Sequence, residues 1–244
     1  MAAEEILFFI AAFIAEIIGT VAGFGSSTIF LPFALFFVDF KTAIILVAIF
    51  HIFGNLARIT FFRQGFDKRI ILQFGVPSFL LSMLGAFLIG ALPQSLLKLI
   101  LGIFLIVTSA SFLAKPGLKF PTNSGTFIAG GSITGFLTAL VGTGGALRAT
   151  MLQGFNIEKV KYIATAATIA LGTDITRIPV YLSQGFLLEQ YYLYIPILFG
   201  IALSGSFIGR KVVGRINQEK FRKMVLVAII LVSIKFIVDG LVAQ

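Results

Sequence analysis

Long apolar runs dominate the chain and predict membrane-spanning helices. Six of these runs have the length of one helix that crosses a bilayer, which needs about 20 apolar residues. The six runs are 42–62, 70–91, 95–114, 160–182, 190–209 and 221–238. This pattern predicts an all-α polytopic membrane protein.

Two further runs, 6–38 and 126–156, do not have the length of a single span. Each is too long for one helix across a hydrocarbon core of about 30 Å and too short for two helices. A glycine-rich stretch interrupts each run, at 22–27 and at 141–145. Glycine opens the backbone torsions, and Ser or Thr hydroxyls satisfy the backbone groups that a broken helix exposes. We therefore predict two broken, re-entrant helical hairpins, with close helix packing through small residues as the alternative.

The sequence repeats itself after 119 residues. Residues related in this way include Gly25 and Gly144, Asn55 and Asp174, Arg58 and Arg177, and Pro77 and Pro196. Self-similarity at such a distance indicates two copies of one structural unit. Residues 1–119 and 120–244 are expected to form these units, each a broken hairpin followed by three transmembrane helices.

Basic residues indicate that the two copies are inverted. The 63–69 loop carries three cations and its counterpart 183–189 none, whereas 92–95 has none and 210–223 carries six. Loops rich in Lys and Arg prefer the cytoplasmic side, so equivalent loops are expected on opposite sides. Re-entrant hairpins then place all the basic loops in the cytoplasm. Both chain termini are predicted outside, and one hairpin enters from each face.

Composition agrees with a membrane protein and excludes several kinds of functional site. With 58% hydrophobic and 12% charged residues, a water-soluble fold is excluded, and the surrounding lipid is a partner. The absence of cysteine excludes disulfides and thiolate metal sites. No Ser-His-Asp arrangement, carboxylate pair or metal-ligand spacing stands out, so we expect neither an enzyme nor a cofactor. The net charge of +9 is assigned to cytoplasmic loops, with no nucleic-acid partner.

Ionisable side chains inside apolar runs are costly and therefore candidates for function. His51, Asn55 and Arg58 share one face of helix 42–62, and Asp174 and Arg177 occupy the related part of the second copy. The two arginines, related by the repeat, suit an anion. Alternatives remain open: an arginine that extends to the membrane surface, an ion pair between Asp174 and Arg177, or hydrogen bonds from Asn55 and Asp174 that only join helices.

The glycine-rich breaks offer further groups to an anion. Arg148 lies four residues after Gly144, where the first copy has an isoleucine. Helices that start after the breaks would present free N–H groups and positive dipole ends. Ser26, Ser27 and Thr143 add hydroxyl donors. Together these residues predict an anion cradle that needs no metal.

Three ionisable residues are candidates for taking up a proton. His51 titrates near neutral pH, although a lone membrane histidine is more often a packing residue with a hydrogen bond. Glu16 and Asp174 are the acids that lie well inside apolar runs, and burial favours the protonated form of a carboxyl group. His51 and Asp174 are therefore possible proton-coupling residues.

Each half contains one glycine-containing segment: 19–27 (GTVAGFGSS), followed by Pro32, and 135–145 (GFLTALVGTGG). Together with the four apolar segments per half, they resemble the TauE/SafE family of sulfite and organosulfonate exporters. The first copy departs from the family in having Ser26 and Ser27 where a glycine pair is common. The second copy has Met151 at the position that corresponds to Pro32. These departures concern the substrate more than the family.

The resemblance implies a secondary transporter that exports small sulfur-containing anions, such as sulfite or sulfoacetate, by alternating access. The substrate-binding residues that we predict are Ser26, Ser27, Asn55, Arg58, Thr143, Gly144, Arg148, Asp174 and Arg177. The alternatives are an anion channel, an importer of another small anion, and a membrane scaffold in which the arginines only pair structurally. A homodimer is possible.

Overall fold

The computed structural model describes residues 3–22, 25–61, 65–114, 119–155, 157, 159–212 and 217–242, and every long element in these ranges is a helix. The all-α prediction is confirmed. The helices of the first half are α1 Ala3–Ala22, α2 Ser27–Ala34, α3 Phe40–Phe61, α4 Lys68–Ile89 and α5 Gln94–Ala114. The helices of the second half are α6 Ser124–Val141, α7 Gly145–Gly154, α8 Lys159–Ser183, α9 Tyr194–Val212 and α10 Gln218–Val242.

Two of these helices contain or follow an irregular turn. Helix α4 has a π-helical turn at Ile71–Gly75 that ends two residues before Pro77, and a short 3-10 turn at Glu189–Tyr191 precedes α9. Proline cannot donate a backbone hydrogen bond, so a locally widened helix near it is expected. The two irregularities fall at related places in the two halves, since Pro196 lies in the first turn of α9.

Both predicted breaks are present, and each separates two helices of unequal length; the re-entrance of the hairpins stays a prediction. α1 has 20 residues and α2 has 8, whereas α6 has 18 and α7 has 10. In the first hairpin the chain turns back tightly, because a Cβ atom on Gly19 would lie 2.5 Å from the backbone of Ser26. Only the second arms, α2 and α7, are short, whereas α1 and α6 each have the length of a membrane-spanning helix.

The two hairpins open toward opposite ends of the bundle. Phe8, near the start of α1, contacts Phe37, just after α2. In the second half, Phe127 contacts Phe155 in the same way. Residue 37 precedes α3, whereas residue 155 precedes α8, and these two helices are antiparallel, because the amide of Asp67, after the end of α3, donates to Thr165 near the start of α8. The inversion of the repeat and the side of the membrane that each loop faces stay predictions, as does the division at residue 119.

Helices of each half pack mainly on helices of the other half. α1 lies on α9, α6 lies on α4, α3 crosses α8, and α5 lies along α10. The contact between α6 and α4 is close because Gly131 and Gly135 of α6 face the backbone of Phe74 and Ser78. Small residues let membrane helices approach in this way. The core therefore lies between the two halves, with α3 and α8 at its centre.

Seven helices of the described chain are long and apolar enough to cross a membrane: α1, α3, α4, α5, α6, α9 and α10. Helix α8 is not among them, although it has 25 residues. Its polar content is the reason, since it carries several threonines together with Asp174 and Arg177. The outer surface is apolar, with Leu80 and Leu231 each 64% exposed, as lipid contact requires.

Candidate functional site

The tips of the two hairpins meet inside the bundle. The hydroxyl oxygens of Thr28 and Thr143 lie 3.1 Å apart, and Thr143 donates a hydrogen bond of 3.2 Å to Ser27. The amide of Ala146 donates to the Thr28 hydroxyl over 3.2 Å. All of these side chains are buried. Ser27 and Thr143, which the sequence predicts as substrate ligands, therefore hold the two tips together in this conformation.

Glycines make this meeting possible. Gly25 and Gly142 have φ values of +90° and +81°, in the left-handed region that favours glycine. Gly144, another predicted ligand, precedes α7, and a Cβ atom there would lie 1.7 Å from the hydroxyl of Thr138. These three glycines shape the breaks through backbone geometry. The polar contacts at the breaks come from neighbouring side chains.

Arg58 on α3 is buried and paired with a carboxylate from the first hairpin. Its Nη2 atom lies 2.7 Å from Oε1 of Glu16, and its Nη1 atom donates to Asn55 over 3.1 Å. The same Glu16 oxygen accepts a hydrogen bond of 2.6 Å from Ser206 on α9. Arg58 is only 8% exposed. The alternative in which Arg58 extends to the membrane surface is therefore wrong.

Arg177 on α8 is fully buried and paired within its own helix. Its Nε atom donates to Oδ1 of Asp174 over 2.9 Å, and its Nη2 atom lies 2.7 Å from the same oxygen. The Nη1 atom donates to the carbonyl of Thr138 on α6 over 2.9 Å. The ion pair between Asp174 and Arg177, an alternative that the sequence left open, is present.

His51 joins the two central helices. Its Nδ1 atom lies 2.8 Å from Oδ2 of Asp174, so this carboxylate bridges α3 and α8. The other ring nitrogen, Nε2, is buried without a hydrogen-bond partner among the described residues. It points at the first break, since a Cβ atom on Gly25 would lie 3.1 Å away. One nitrogen of His51 thus packs the bundle, and the other remains available.

Arg148 on α7 is the cation that the rest of the site does not neutralise. It is 6% exposed, and no described residue makes a hydrogen bond or a close ion pair with its guanidinium group. Asp174 attracts this cation electrostatically, whereas Arg177 and Arg58 repel it. We call Glu16, His51, Arg58, Arg148, Asp174 and Arg177 the charged cluster. It contains three arginines against two carboxylates.

Buried polar atoms without partners lie in the same region. Besides Nε2 of His51, they include Oγ of Ser26, Nδ2 of Asn55 and Oε2 of Glu16, counted over the described part of the chain. Native proteins leave few such groups, so a cluster of them calls for a ligand or water. Ser26 and Asn55, both predicted as ligands, are therefore among the described residues with unused donors.

Glu16 is a site residue that the sequence analysis left out of the substrate site. A signal for it existed, because it is the one acid inside the first apolar run. Its pairing with Arg58 spans 42 residues, and nothing local indicates it. Within the described ranges, no group of three or more His, Asp or Glu residues is placed to hold a metal ion.

Comparison with protein families gave a match over nearly the whole chain. The family model described as "Sulfite exporter TauE/SafE" matches residues 8–236, nearly the whole chain. No curated protein and no solved structure shows significant similarity. The match includes both hairpins and every residue of the charged cluster.

Proposed function

The chain belongs to the TauE/SafE family of sulfite exporters, and from this we propose that it is a secondary transporter that exports a small sulfur-containing anion across the cytoplasmic membrane. The substrate is sulfite or an organosulfonate such as sulfoacetate. Transport proceeds by alternating access, and the charged cluster together with Ser26 and Asn55 binds the anion. The protein acts without a metal or a cofactor and catalyses no covalent reaction.

The observation that carries this proposal is the uncompensated guanidinium of Arg148. Arg58 has Glu16 and Arg177 has Asp174, so each carboxylate of the cluster is already occupied by an arginine. A buried cation without a partner is unfavourable. A bound monoanion would supply the missing charge, and an arginine binds the oxygens of a sulfonate with two parallel hydrogen bonds.

The unused donors around the first break fit the rest of such an anion. A sulfonate has three acceptor oxygens. The hydroxyl of Ser26 and the amide nitrogen of Asn55 are buried and without partners among the described residues, so both are available to donate. Unpaired buried donors reject a ligand that lacks matching acceptors. The site therefore favours a compact oxyanion over a neutral molecule.

His51 provides a way to couple anion binding to a proton. When its Nδ1–H donates to Asp174, a neutral ring leaves Nε2 as an acceptor, which repels an oxyanion. A protonated ring instead offers an Nε2–H donor toward the break at Gly25. Binding of the proton and binding of the anion thus strengthen each other. We propose this coupling role for His51 and Asp174.

The arrangement of the hairpins supports alternating access. The hairpins open to opposite ends of the bundle, and their tips are joined by a few hydrogen bonds among Ser27, Thr28, Thr143 and Ala146. Broken helices that meet near the middle of a membrane are typical of secondary transporters. Separation of the tips toward one end or the other would expose the charged cluster to one side at a time.

Ligand-dependent thermal stability tests the proposed site. We expect sulfite or sulfoacetate to raise the melting temperature of the purified protein more than acetate does, because a ligand that binds the native state stabilises it. Arg148→Gln should abolish the shift while keeping the fold. The matched control is Lys223→Gln, which removes an exposed cation that pairs with Glu219. Equal shifts in both variants would contradict the proposal.

Flux measurements in proteoliposomes separate a transporter from a channel. We expect export that saturates with anion concentration and is accelerated by counter-anion on the opposite side, as a site with alternating access requires. Conductance that grows without saturation would favour the channel. For His51→Gln, the pH dependence of sulfoacetate binding near neutral pH should disappear, and its persistence would contradict the coupling role.

A further inference from the structure

Thr28 caps a helix that belongs to the other half of the molecule. The first amides of a helix have no carbonyl partner within it, and a side chain just before the helix usually accepts a hydrogen bond from them. Helix α7 is preceded by Gly144, which has no side chain to offer. The amide of Ala146, in the first turn of α7, donates instead to the hydroxyl of Thr28 on α2 over 3.2 Å. The N-terminus of α7 is therefore capped from the first hairpin.

The Thr28 hydroxyl belongs to a series of hydrogen bonds that runs in one direction. Thr143 donates its single hydroxyl hydrogen to Ser27, so the hydrogen between Thr143 and Thr28 comes from Thr28. Thr28 thus accepts from Ala146 and donates to Thr143. All four residues are buried. Because hydrogen bonds in such a series strengthen one another, loss of the contact with Ala146 weakens the contact between the tips as a whole.

This cap exists in one direction only. The position related to Thr28 by the repeat is Leu147, which has no hydroxyl group to cap α2 in return. The second hairpin differs in another way in the same turn, since it has Arg148 where the first has Ile29. The capped amide and the unpaired cation therefore both belong to α7, and neither feature is repeated in α2.

Arg148 lies close to the capped amide. It follows Ala146 by two residues in α7, and long side chains on a helix lean toward its N-terminus. The guanidinium is buried and makes no hydrogen bond or close ion pair with a described residue. At the break of the first hairpin, Oγ of Ser26 and Nε2 of His51 are also buried without described partners. The N-terminus of α7 thus has an unpaired cation beside it, which calls for an anionic ligand.

We propose that the Thr28 hydroxyl is a placeholder for the transported anion at the N-terminus of α7. In the anion-free protein the hydroxyl accepts from the amide of Ala146. The bound anion pairs with Arg148 and takes over this hydrogen bond with one of its oxygens. An anion is a stronger acceptor than a neutral hydroxyl at the positive end of a helix. This inference rests on the proposed function and adds the Ala146 amide as a ligand, with Thr28 as its competitor.

Displacement of Thr28 links anion binding to movement of the hairpins. Once the anion holds Ala146, only the hydrogen bonds of Thr143 with Thr28 and Ser27 join the tips among the described residues. A ligand shifts a conformational equilibrium by its difference in affinity for the two states. The anion prefers the state in which Thr28 has left Ala146. The empty protein therefore stays closed at the tips, and the loaded protein opens more readily.

Thr28→Val tests the placeholder, because valine resembles threonine in shape but accepts no hydrogen bond. The Ala146 amide is then unpaired in the anion-free protein and paired in the complex. For whichever of sulfite and sulfoacetate stabilises the wild type more, Kd measured by isothermal titration calorimetry should fall about threefold to tenfold. The melting temperature should fall for the anion-free protein and much less for the saturated protein.

Two further variants at this position separate the hydroxyl from the shape of the side chain. Thr28→Ala removes the same acceptor with a smaller side chain, so it should show the same fall in Kd. Thr28→Ser keeps the hydroxyl and should bind the anion as the wild type does. A fall in Kd for Thr28→Ser as large as that for Thr28→Ala would overturn the role of the hydroxyl.

Thr176→Val is the matched control. Thr176 on α8 also joins the two halves, through a hydroxyl contact of 2.7 Å with Ser82 on α4, and it lies outside the hairpins. A hydrogen bond that only holds helices together stabilises the free and the anion-bound protein equally. Thr176→Val should therefore lower both melting temperatures by the same amount and leave Kd unchanged.

Release of the tips can be measured as a distance between α2 and α7. Phe33 on α2 and Gln153 on α7 are exposed, and the chain has no cysteine of its own. Spin labels on cysteines introduced at these two positions report the distance by electron paramagnetic resonance. The anion should lengthen or broaden the distances in the otherwise wild-type protein, and Thr28→Val should show the broader distribution before anion is added.

The possible failures separate the placeholder from the proposed function. If the wild type binds sulfite or sulfoacetate while Thr28→Val binds it equally or more weakly, the placeholder alone is refuted. The same holds if Thr28→Val and Thr176→Val change Kd alike. Distances that stay the same when anion is added to the wild type refute the release of the tips. A wild-type protein that binds neither anion refutes the proposed function and the placeholder together.

Discussion

The two arginines related by the repeat, Arg58 and Arg177, are neutralised in different ways. Arg177 takes its carboxylate from Asp174, three residues earlier on the same helix. Arg58 has Asn55 at that position and takes its carboxylate from Glu16, on another helix. Each half therefore provides one carboxylate that pairs with its member of this arginine pair, although the two acids occupy unrelated positions. Both of these buried arginines keep a carboxylate partner even though the residues that supply it diverge.

Packing explains why Glu16 has no counterpart in the second half. The side chain of Glu16 fits between Gly54 on α3 and Gly205 on α9, where added Cβ atoms would lie 2.9 Å from it. The position related to Glu16 is Gly135, where a Cβ atom would lie 2.0 Å from the carbonyl oxygen of Ser78. No side chain fits there, so the acid of the second half has to come from α8 itself.

This difference makes the binding region asymmetric. Because Asp174 lies on α8 facing α3, its second oxygen reaches His51 and connects the two halves. Glu16 contacts the other half, at Ser206, only with the oxygen that also binds Arg58, and its second oxygen has no partner among the described residues. A substrate with a distinct head and tail needs an asymmetric site. The duplicated fold thus supplies the frame, and the altered acid positions supply the asymmetry.

The largest effect is expected for Asp174→Asn. This change leaves Arg177 without a carboxylate and also weakens the contact with His51, so it should cost about 5 kcal/mol of unfolding free energy, at the upper end for a broken buried pair. Chemical denaturation followed by circular dichroism measures the loss. Asp239→Asn, in an exposed pair with Lys235, is the control and should cost about 0.5 kcal/mol or less. Similar losses in the two variants would contradict this account.

Glu16→Gln should have the next largest effect. Arg58 keeps its hydrogen bond to Asn55, so the expected loss is about 3 kcal/mol, at the lower end for such pairs. Adding Arg58→Met should recover part of this loss, because no charge then remains buried. Strictly additive losses in the double variant, measured by the same denaturation, would show that the two residues do not interact.

Gly135→Ala tests the packing explanation. The added methyl group meets the backbone of α4, which cannot move aside as a flexible side chain would, and the expected cost is about 1–3 kcal/mol. Gly200→Ala is the matched control, since nothing lies within 4 Å of a Cβ atom there. Melting temperatures of the two variants decide the matter, and a drop for Gly200→Ala as large as that for Gly135→Ala would contradict the explanation.

The smallest expected effect is a rescue. Asn55→Asp in the Glu16→Gln background gives the first half the local acid of the second half, 3.1 Å from Arg58 Nη1. It should restore about 1–2 kcal/mol, because a hydrogen bond to a charged partner replaces a neutral one. Melting temperatures of the single and double variants measure the rescue. If Asn55→Asp destabilises the Glu16→Gln protein further, the local pair of the second half cannot be transferred.

Helix positions were predictable because the signals for them are local. The run 42–62 became α3 at Phe40–Phe61, and the run 95–114 became α5 at Gln94–Ala114. Both hairpin breaks were predicted from their glycines. The lengths of the hairpin arms were not, because a break can fall anywhere along a run without changing its hydrophobicity. The polar face of α8 was visible as the stretch around Asp174 and Arg177.

The candidate site was predictable only as a set of residues. Burial of polar groups in apolar runs singled out His51, Arg58, Arg148 and Arg177, and all four are buried in the bundle. Among their charged partners, only Asp174 of Arg177 follows a rule of spacing. Glu16, which pairs with Arg58, lies 42 residues from it in the sequence. His51, which contacts Asp174, lies 123 residues from it.

The sequence alone determined the membrane-spanning class, the helical segments, the breaks and the family, because hydrophobicity and glycine placement act on short stretches of chain. Only the tertiary structure decided which cation remains unpaired. That outcome depends on which helices touch. The packing of Glu16 against Gly205, for example, depends on a few ångströms of space between helices from different halves. Arg148 is left without a carboxylate because Glu16 and Asp174 are closer to the other two arginines.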